Sequence, residues 1–341
     1  MPAEADACPC SPRRCAHVEF ADTQLRTGWR TYGLRSKFSR ALAVVVVCGS
    51  LAAAASAPEP TVFSGETDWG TGSNAAPAFA PDGKTVFFVH WHDQGGTIMV
   101  SHLRGDTWSK PETAPFSGQW RDIEPAMAPD GSYLVFSSNR PAVEGGKAID
   151  GFYQGKTQPE RGGNLWRVNR TGDGWSKPLR LPDEINSNNA IYSPSVARSG
   201  NLYFNQSDPI SKKERLCWSQ WIGGHYTAPE PVSFDDGETR NFTAAVAPDE
   251  SFILFSGHRP PSPDHHAVVF VAFADNHKWK TPVPFQPYLY GEQERLSPDL
   301  KTLYFVSDRP RLDPTPNANP GENVRQKIWQ ISLEGWDVLG K

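Results

Sequence analysis

Ala126-Met127-Ala128-Pro129-Asp130-Gly131-Ser132-Tyr133-Leu134-Val135-Phe136 is the stretch whose reading decides the fold. Small residues run up to a Pro-Asp-Gly turn, and a bulky, β-prone run leaves it. Pro presets φ on entry and Gly accepts positive φ inside the turn, so the two runs read as a β-hairpin. The unit recurs as Pro81-Asp82-Gly83 before Val86-Phe87-Phe88-Val89, and as Ser199-Gly200-Asn201 before Leu202-Tyr203-Phe204. Pro248-Asp249-Glu250 and Pro298-Asp299-Leu300 lead into Phe252-Ile253-Leu254-Phe255 and Leu303-Tyr304-Phe305-Val306. The turn centres at 82, 130, 199, 249 and 299 are spaced by 48, 69, 50 and 50 residues. A period of roughly 40–50 residues is that of four-stranded propeller blades, each of which needs its neighbours to bury its faces.

Each repeat divides alike. The small-residue strand before the turn suits the crowded axis, and the aromatic run is strand two. Strand three is 97–100, 164–168, 216–218, 268–271 and 327–331. Strand four opens with an aromatic followed three residues later by Pro: Trp108 and Pro111, Trp175 and Pro178, Tyr226 and Pro229, Trp279 and Pro282. Pro fits an outermost strand, where its missing N–H faces solvent. The last repeat stops at Trp336 without such a strand, while Thr61-Val62-Phe63-Ser64-Gly65 matches Ala114-Pro115-Phe116-Ser117-Gly118. The expectation is an all-β propeller of five four-stranded antiparallel blades, the N-terminal strand completing the last. Six blades is the alternative, with the extra one in 141–162.

Glu124-Pro125, Ala128-Pro129-Asp130-Gly131, Phe136-Ser137-Ser138-Asn139-Arg140, Phe255-Ser256-Gly257-His258-Arg259 and Phe305-Val306-Ser307-Asp308-Arg309 resemble the TolB-type, WD-like propeller repeats of bacterial envelope proteins. The likeness covers roughly 61–336 and implies the fold rather than a function, since propellers host binding modules and enzymes alike. It does not imply a role in the Tol–Pal system, because about twenty mature residues before the first turn leave no room for TolB's N-terminal α/β domain.

Residues 1–57 read as leader and signal peptide, and 58–341 as a single propeller domain. Arg35, Lys37 and Arg40 precede the apolar run 42–47 and the Ala-rich 51–57, a Sec-type pattern. Cleavage is expected after Ala54, Ala55 or Ala57, the last disfavoured by Pro58. The unpatterned 1–33 points to a start nearer Leu34. Val47 before Cys48 argues against lipidation, and Arg13-Arg14 lacks the apolar run of a twin-arginine signal. The apolar run is too short to span a bilayer. Of five cysteines only Cys217 remains in the mature chain, so no internal disulfide is expected. A net charge of −4 and 21% charged residues argue against nucleic acid as a partner. The expected location is periplasmic or secreted.

Blade-to-blade links and strand-two-to-three links share one propeller face, opposite the Pro-Asp-Gly turns. They carry 119–124, 188–192, 238–241 and 292–295, with His90-Trp91-His92-Asp93 and His258-Arg259. The insertions 141–162 and 310–324 lie on that side and could act as lids. Arg140, Arg259 and Arg309 recur in three blades and read as structural; Glu124 and Glu294 occupy matching places and read likewise. Trp91, Trp120, Arg121, Asp122, Arg240 and Arg295 are the ligand-binding candidates, Arg pairing carboxylates and Trp stacking on a ring. Asp122 with Glu238 or Glu294 is the candidate acid/base pair. His90 and His92, two apart on one strand face, with His258 from another blade, are the weaker metal candidates; no cofactor is expected otherwise. The expected function is an exported binding or scaffold propeller for an envelope protein or glycan. The alternative is a hydrolase or lyase acting on an anionic saccharide.

Overall fold

In the computed structural model, which describes residues 58–69, 72–93, 95–153, 156–207, 213–260, 267–275, 278–286, 288–308 and 326–334, the turn chemistry works as its composition demands. Asp82 Oδ1 accepts the N–H groups of Lys84 (2.7 Å) and Thr85 (3.1 Å), and Gly83 adopts φ +65°. Asp130, Asp249 and Asp299 each accept an N–H two residues on. These turns join the first two strands of four blades, and in the remaining one Ser199 Oγ accepts the Asn201 N–H at 3.2 Å.

Five antiparallel blades follow one another. Blade 1 is Ser73–Phe79, Thr85–His92 and Gly95–Arg104; blade 2 is Asp122–Met127, Tyr133–Ser138 and Asn164–Thr171. Blade 3 is Ile191–Val196, Leu202–Ser207 and Glu214–Ser219; blade 4 is Asn241–Val246, Phe252–Gly257 and Val268–Asp275. Blade 5 is Glu292–Leu296, Thr302–Ser307 and Lys327–Ser332. Among its described residues the insertion at 141–162 contains only the hairpin Gly151–Tyr153 with Lys156–Gln158, so the extra blade expected as the alternative is not there.

Blade 5 is closed by the other end of the chain. Thr61 pairs with Gln330, Val62 with Trp329, and Phe63 N–H donates to Ile328 O at 2.9 Å. The helical turn Ser64–Asp68 then crosses to blade 1, where Asp68 accepts Trp108 N–H at 2.9 Å. Phe63, buried, meets Trp69, Phe79, Trp108 and Tyr304 edge-on.

The outer strand differs from the expectation in detail. Blade 1 pairs Thr107–Trp108 and Glu112–Thr113 separately with its third strand, and blade 4 does the same with Lys278–Trp279 and Val283–Pro284. The repeat prolines Pro111, Pro178, Pro229 and Pro282 fall in the gap between such pieces rather than within a strand. A residue without N–H sits where no ladder bond is made.

The apolar core is divided among the seams between blades. Phe87, Ile98, Leu134 and Phe136 fill the seam of blades 1 and 2; Val135, Leu165, Ile191 and Phe204 that of blades 2 and 3. Tyr203, Leu216, Ile253 and Phe255 join blades 3 and 4; Leu254, Val271, Leu303 and Phe305 join blades 4 and 5. Phe63, Val306 and Ile328 meet Ala75 and Phe88 across the closing seam. Each such fully buried side chain contributes roughly 1.5–3 kcal/mol, so every seam depends on both its blades.

A bulge interrupts every innermost strand. Pairing register slips between Ala75 and Ala78, Ile123 and Ala126, Tyr192 and Ser195, Phe242 and Ala245, and Glu292 and Arg295. One residue in each is left-handed: Ala76 (φ +48°), Glu124 (+54°), Ser193 (+52°), Thr243 (+50°) and Gln293 (+61°). Neighbouring bulges are tied together. Glu124 Oε2 accepts Ser193 N–H at 2.7 Å, and Thr243 Oγ1 accepts Gln293 N–H at 3.0 Å. The bulge aligns Glu124 with Gln293, so Glu124 and Glu294 are one step out of register and do not match as expected.

Candidate functional site

The innermost strands start earlier than the small-residue runs imply, and this moves two candidates out of the links. Asp122 is the first residue of its strand and is fully buried. Its carboxylate takes a two-point ion pair from Arg140 (2.8 and 2.9 Å to Nη2) and hydroxyl bonds from Ser117 (2.9 Å) and Ser138 (2.7 Å). Burial pushes its pKa up, and Arg140 and the hydroxyls oppose that. Asn241 meets Arg259 in blade 4 at the corresponding place, and Asn74 meets His90 Nδ1 at 2.9 Å in blade 1. Asp122 is thus one member of a repeated strand-to-loop tie, with no oxygen left for substrate. Arg309 lies outside the described residues.

Glu294 is fully buried between blades 4 and 5. It accepts the hydroxyls of Thr243 (2.9 Å) and Ser256 and forms no salt bridge with a described residue, and burial raises its pKa to about 8. Glu238 lies at the surface and is held by Lys213 Nζ at 2.7 Å. The three acid/base candidates do not come together: two are sealed in different seams and one is in solvent.

The metal candidates are engaged elsewhere. His92 Nε2 bonds Thr97 Oγ1 at 2.9 Å, and His258 lies edge-on to Phe242 at 5.3 Å. Burial, then the neighbouring His92, lowers the pKa of His90. Among the described residues no three His, Cys, Asp or Glu are grouped to hold a metal ion.

Arg121, Trp91 and Arg240 are brought to the mouth. The Arg121 guanidinium sits over the Trp91 ring at 5.6 Å, and its Nε and Nη1 are buried without a hydrogen-bond partner. Burial lowers its pKa, opposed by Tyr192 and Glu124. Arg240 lies over Phe242 at 4.4 Å and pairs with Glu214 at 2.9 Å. Trp120 is partly exposed.

Arg295 takes the channel itself. Its equivalents two residues after the bulge are Ala78, Ala126, Ser195 and Ala245, so one long side chain meets four small ones. It is buried, bonds Glu294 O at 2.8 Å, and reaches Pro125 O of blade 2 at 3.4 Å. It lines a cavity of about 130 Å³ at the turn-side end of the channel, with Pro77, Ala126, Ser195 and Ala245.

Three mouth residues were not among the candidates, although the links expected at the mouth contain two of them, Tyr192 and Glu292. Glu214 opens the third strand of blade 3, Glu292 opens the first strand of blade 5, and Tyr192 precedes the bulge of blade 3. Burial raises Glu214 and Glu292; Arg240 opposes both shifts, and Glu124 adds to both. Burial also pushes Tyr192 to about 12, against Arg121, and its hydroxyl donates to Arg161 O of the 141–162 insertion at 2.9 Å. Glu124, Glu214 and Glu292, from three blades, are close enough to feel one another's charge. The signal for Glu214 and Glu292 was positional: each is a charged residue that opens a strand.

No protein-family model matches the chain, and no curated protein matches it. Among solved structures it is similar to TolB from Acinetobacter baumannii, at 13% identity over 76% of this chain and 54% of that one, with a TM-score of 0.44. The chain thus spans about half the length of that TolB. A thermostable family-43 glycoside hydrolase shares 10% identity over 78% of this chain and 91% of its own, TM-score 0.47. A gluconolactonase from Xanthomonas campestris shares 11% over 81% and 89%, TM-score 0.42. The propeller itself is read from the strand pairing above.

Proposed function

We propose that the chain is an exported propeller that binds a carboxylate-bearing component of the cell envelope, glycan or protein, at its channel mouth. The observation that carries this is Arg121: a guanidinium held on the Trp91 face, largely buried, with no acceptor for two of its N–H groups. An unmet buried donor costs about 1–3 kcal/mol, and a carboxylate is the acceptor that suits a guanidinium fork. Export rests on the basic, apolar and Ala-rich segments of 35–57. No helix among the described residues is long and apolar enough to cross a membrane.

Calorimetric titration with acidic oligosaccharides and carboxylate-terminated peptides tests this reading. The expected result is binding of a carboxylate ligand that Arg121→Met weakens about tenfold or more, the loss of roughly 1.4 kcal/mol. Binding that is indifferent to Arg121→Met would place the ligand elsewhere.

A second reading, hydrolysis of an anionic saccharide, is favoured by Glu124, Glu214 and Glu292 converging from three blades with Arg240 beside two of them. A carboxyl with raised pKa serves as proton donor to the leaving oxygen, and a second carboxylate activates water. Turnover abolished by Glu292→Gln would establish it.

A further inference from the structure

Two arginines break the repeat at the end of the channel away from the mouth. The residue two places after the bulge is Ala78, Ala126, Ser195 and Ala245 in four blades, and Arg295 in the fifth. The residue that enters the turn between the first two strands is Pro81, Pro129, Pro248 and Pro298 in four blades, and Arg198 in the remaining one. All ten of these residues line one cavity of about 130 Å³. Four blades build the same strand and the same turn without a cation at either place, so the fold does not require one. Arg295 is buried among neutral partners: Nη1 donates to Glu294 O at 2.8 Å, Nε to Pro125 O at 3.4 Å, and Nη2 has no acceptor. Glu124 and Glu294 lie within electrostatic reach of it. Their carboxylates are held by other groups, Glu124 by Ser193 N–H and Glu294 by the hydroxyls of Thr243 and Ser256. Arg198 is exposed at the rim, with Asp249 as the acid that feels it.

The rest of the lining selects the class of anion. Ser195 Oγ accepts Val246 N–H at 3.0 Å, while Ser297 Oγ donates to Asp299 and accepts Thr302 N–H. Both hydroxyls are thus engaged, and beyond the arginines the wall is mostly alanine, proline, Val196 and Leu296. A phosphate needs donors on every side to replace its water, and this wall has few. A carboxylate gathers its charge on two oxygens, which suit a guanidinium, and turns carbon toward the remaining wall. From two repeat-breaking arginines on one small, otherwise apolar cavity, we infer a separate anion site at the turn-side end of the channel that takes a small aliphatic carboxylate. An oxygen of the ligand meets Arg295 Nη2, its short tail packs on the alanines and prolines, and Arg198 adds attraction at the entrance. The site shares no residue with the Arg121 mouth and does not rest on the reading proposed there.

Calorimetric titration with acetate, propionate, butyrate and inorganic phosphate tests this, in an Arg121→Met background that removes the mouth guanidinium. One of the carboxylates is expected to bind more tightly than phosphate, and Arg295→Met to weaken it about tenfold or more. Without ligand, Arg295→Met should melt at or above its parent, since it replaces an unpaired buried charge by an apolar chain. Arg198→Gln, at an exposed position, should weaken binding about threefold at low salt and leave it unchanged in roughly 1 M salt, where the rim charge is screened. Carboxylate binding indifferent to Arg295→Met would overturn the site. If that variant does not fold, Arg198→Gln decides, and an unchanged affinity at low salt would overturn it. A preference for phosphate over every carboxylate would overturn the ligand class, and no binding of any probe would overturn the inference whole, with the mouth reading untouched.

Discussion

Carboxyl groups sit both in the seams between blades and at the mouth, and the two settings treat them oppositely. Asp122, in a seam, has a bidentate Arg140 and two serine hydroxyls; every acceptor is taken and the charge is matched. Glu294, in another seam, has two hydroxyls and a backbone N–H but no salt bridge with a described residue. At the mouth, Glu124, Glu214 and Glu292 share cations unevenly while Arg121 keeps unmet donors. Seams are over-determined because each must hold two sheets together. The mouth is under-satisfied, the condition a binding site needs, because a surface already content with its own partners has nothing to offer a ligand.

The largest expected effect lies in the closing seam. Deleting 58–66 removes the strand paired with Lys327–Ser332 and the Phe63 hub, so the last blade keeps an open apolar edge. We expect an insoluble product or a loss of several kcal/mol against the ~5–15 kcal/mol that hold a typical domain; a melting temperature equal to that of the intact propeller would refute the clasp. Next comes the direct contrast between seam and mouth. Arg140→Met strands a buried carboxylate and should cost about 3 kcal/mol. Arg121→Met breaks no hydrogen bond and removes two unmet buried N–H donors, so it should hold or raise stability, by up to about 1–3 kcal/mol. Urea unfolding of the two variants reads the comparison; equal losses would end it.

Glu294 sharpens the seam side through pH. Burial raises it from its ordinary 4.5 to about 8 in the folded chain. The folded state therefore holds a proton that the unfolded chain has released between those values, and stability falls as pH rises through that window. The contribution is whole below about pH 4.5 and lost above about pH 8. Glu294→Gln keeps the shape and the hydroxyl acceptor without the charge. It should match the parent near pH 5 and exceed it at pH 9, by on the order of 4 kcal/mol. Parallel stability–pH curves would show that Glu294 is not the titrating group.

The five blades were legible because Pro-Asp-Gly turns and alternating small and bulky strands are local chemistry repeated at a fixed interval. The closing strand was legible from a missing piece at one end matched by a spare at the other. The bulges were not, since their left-handed residues are Ala76, Glu124, Ser193, Thr243 and Gln293, none of them glycine. A signal did exist: Pro77, Pro125 and Pro194 stand inside inner strands, where Pro is tolerated mainly at bulges. Missing the bulge displaced Glu124 against Glu294 and put Asp122 in a loop. Arg121 and Arg240 stood out because they break the repeat, whereas Tyr192 lay in a stretch read only as link and Glu214 fell just outside the expected strand 216–218. Which carboxylates meet at the axis depends on how five strands tilt toward it, and no spacing along one chain encodes that.

The smallest effect concerns the turns that began the reading. The third turn residue is left-handed in all five blades: Gly83 (φ +65°), Gly131 (+72°), Gly200 (+89°), Glu250 (+60°) and Leu300 (+60°). A side chain costs about 1–2 kcal/mol there, which glycine avoids while giving back part through its freer unfolded state. Leu300→Gly should therefore stabilise blade 5 by about 0.5 kcal/mol. Glu250 has a reason to stay. Its carboxylate accepts Ser199 Oγ (2.9 Å), Asn201 Nδ2 (3.0 Å) and the Tyr203 hydroxyl (2.7 Å) across the seam of blades 3 and 4. Glu250→Gly relieves the same strain but strips three acceptor contacts, so it should destabilise by about 1 kcal/mol. The melting temperatures of the two variants should move in opposite directions. A rise in both would mean that the Glu250 contacts hold nothing, and a fall in both would mean that the left-handed turn costs Leu300 nothing.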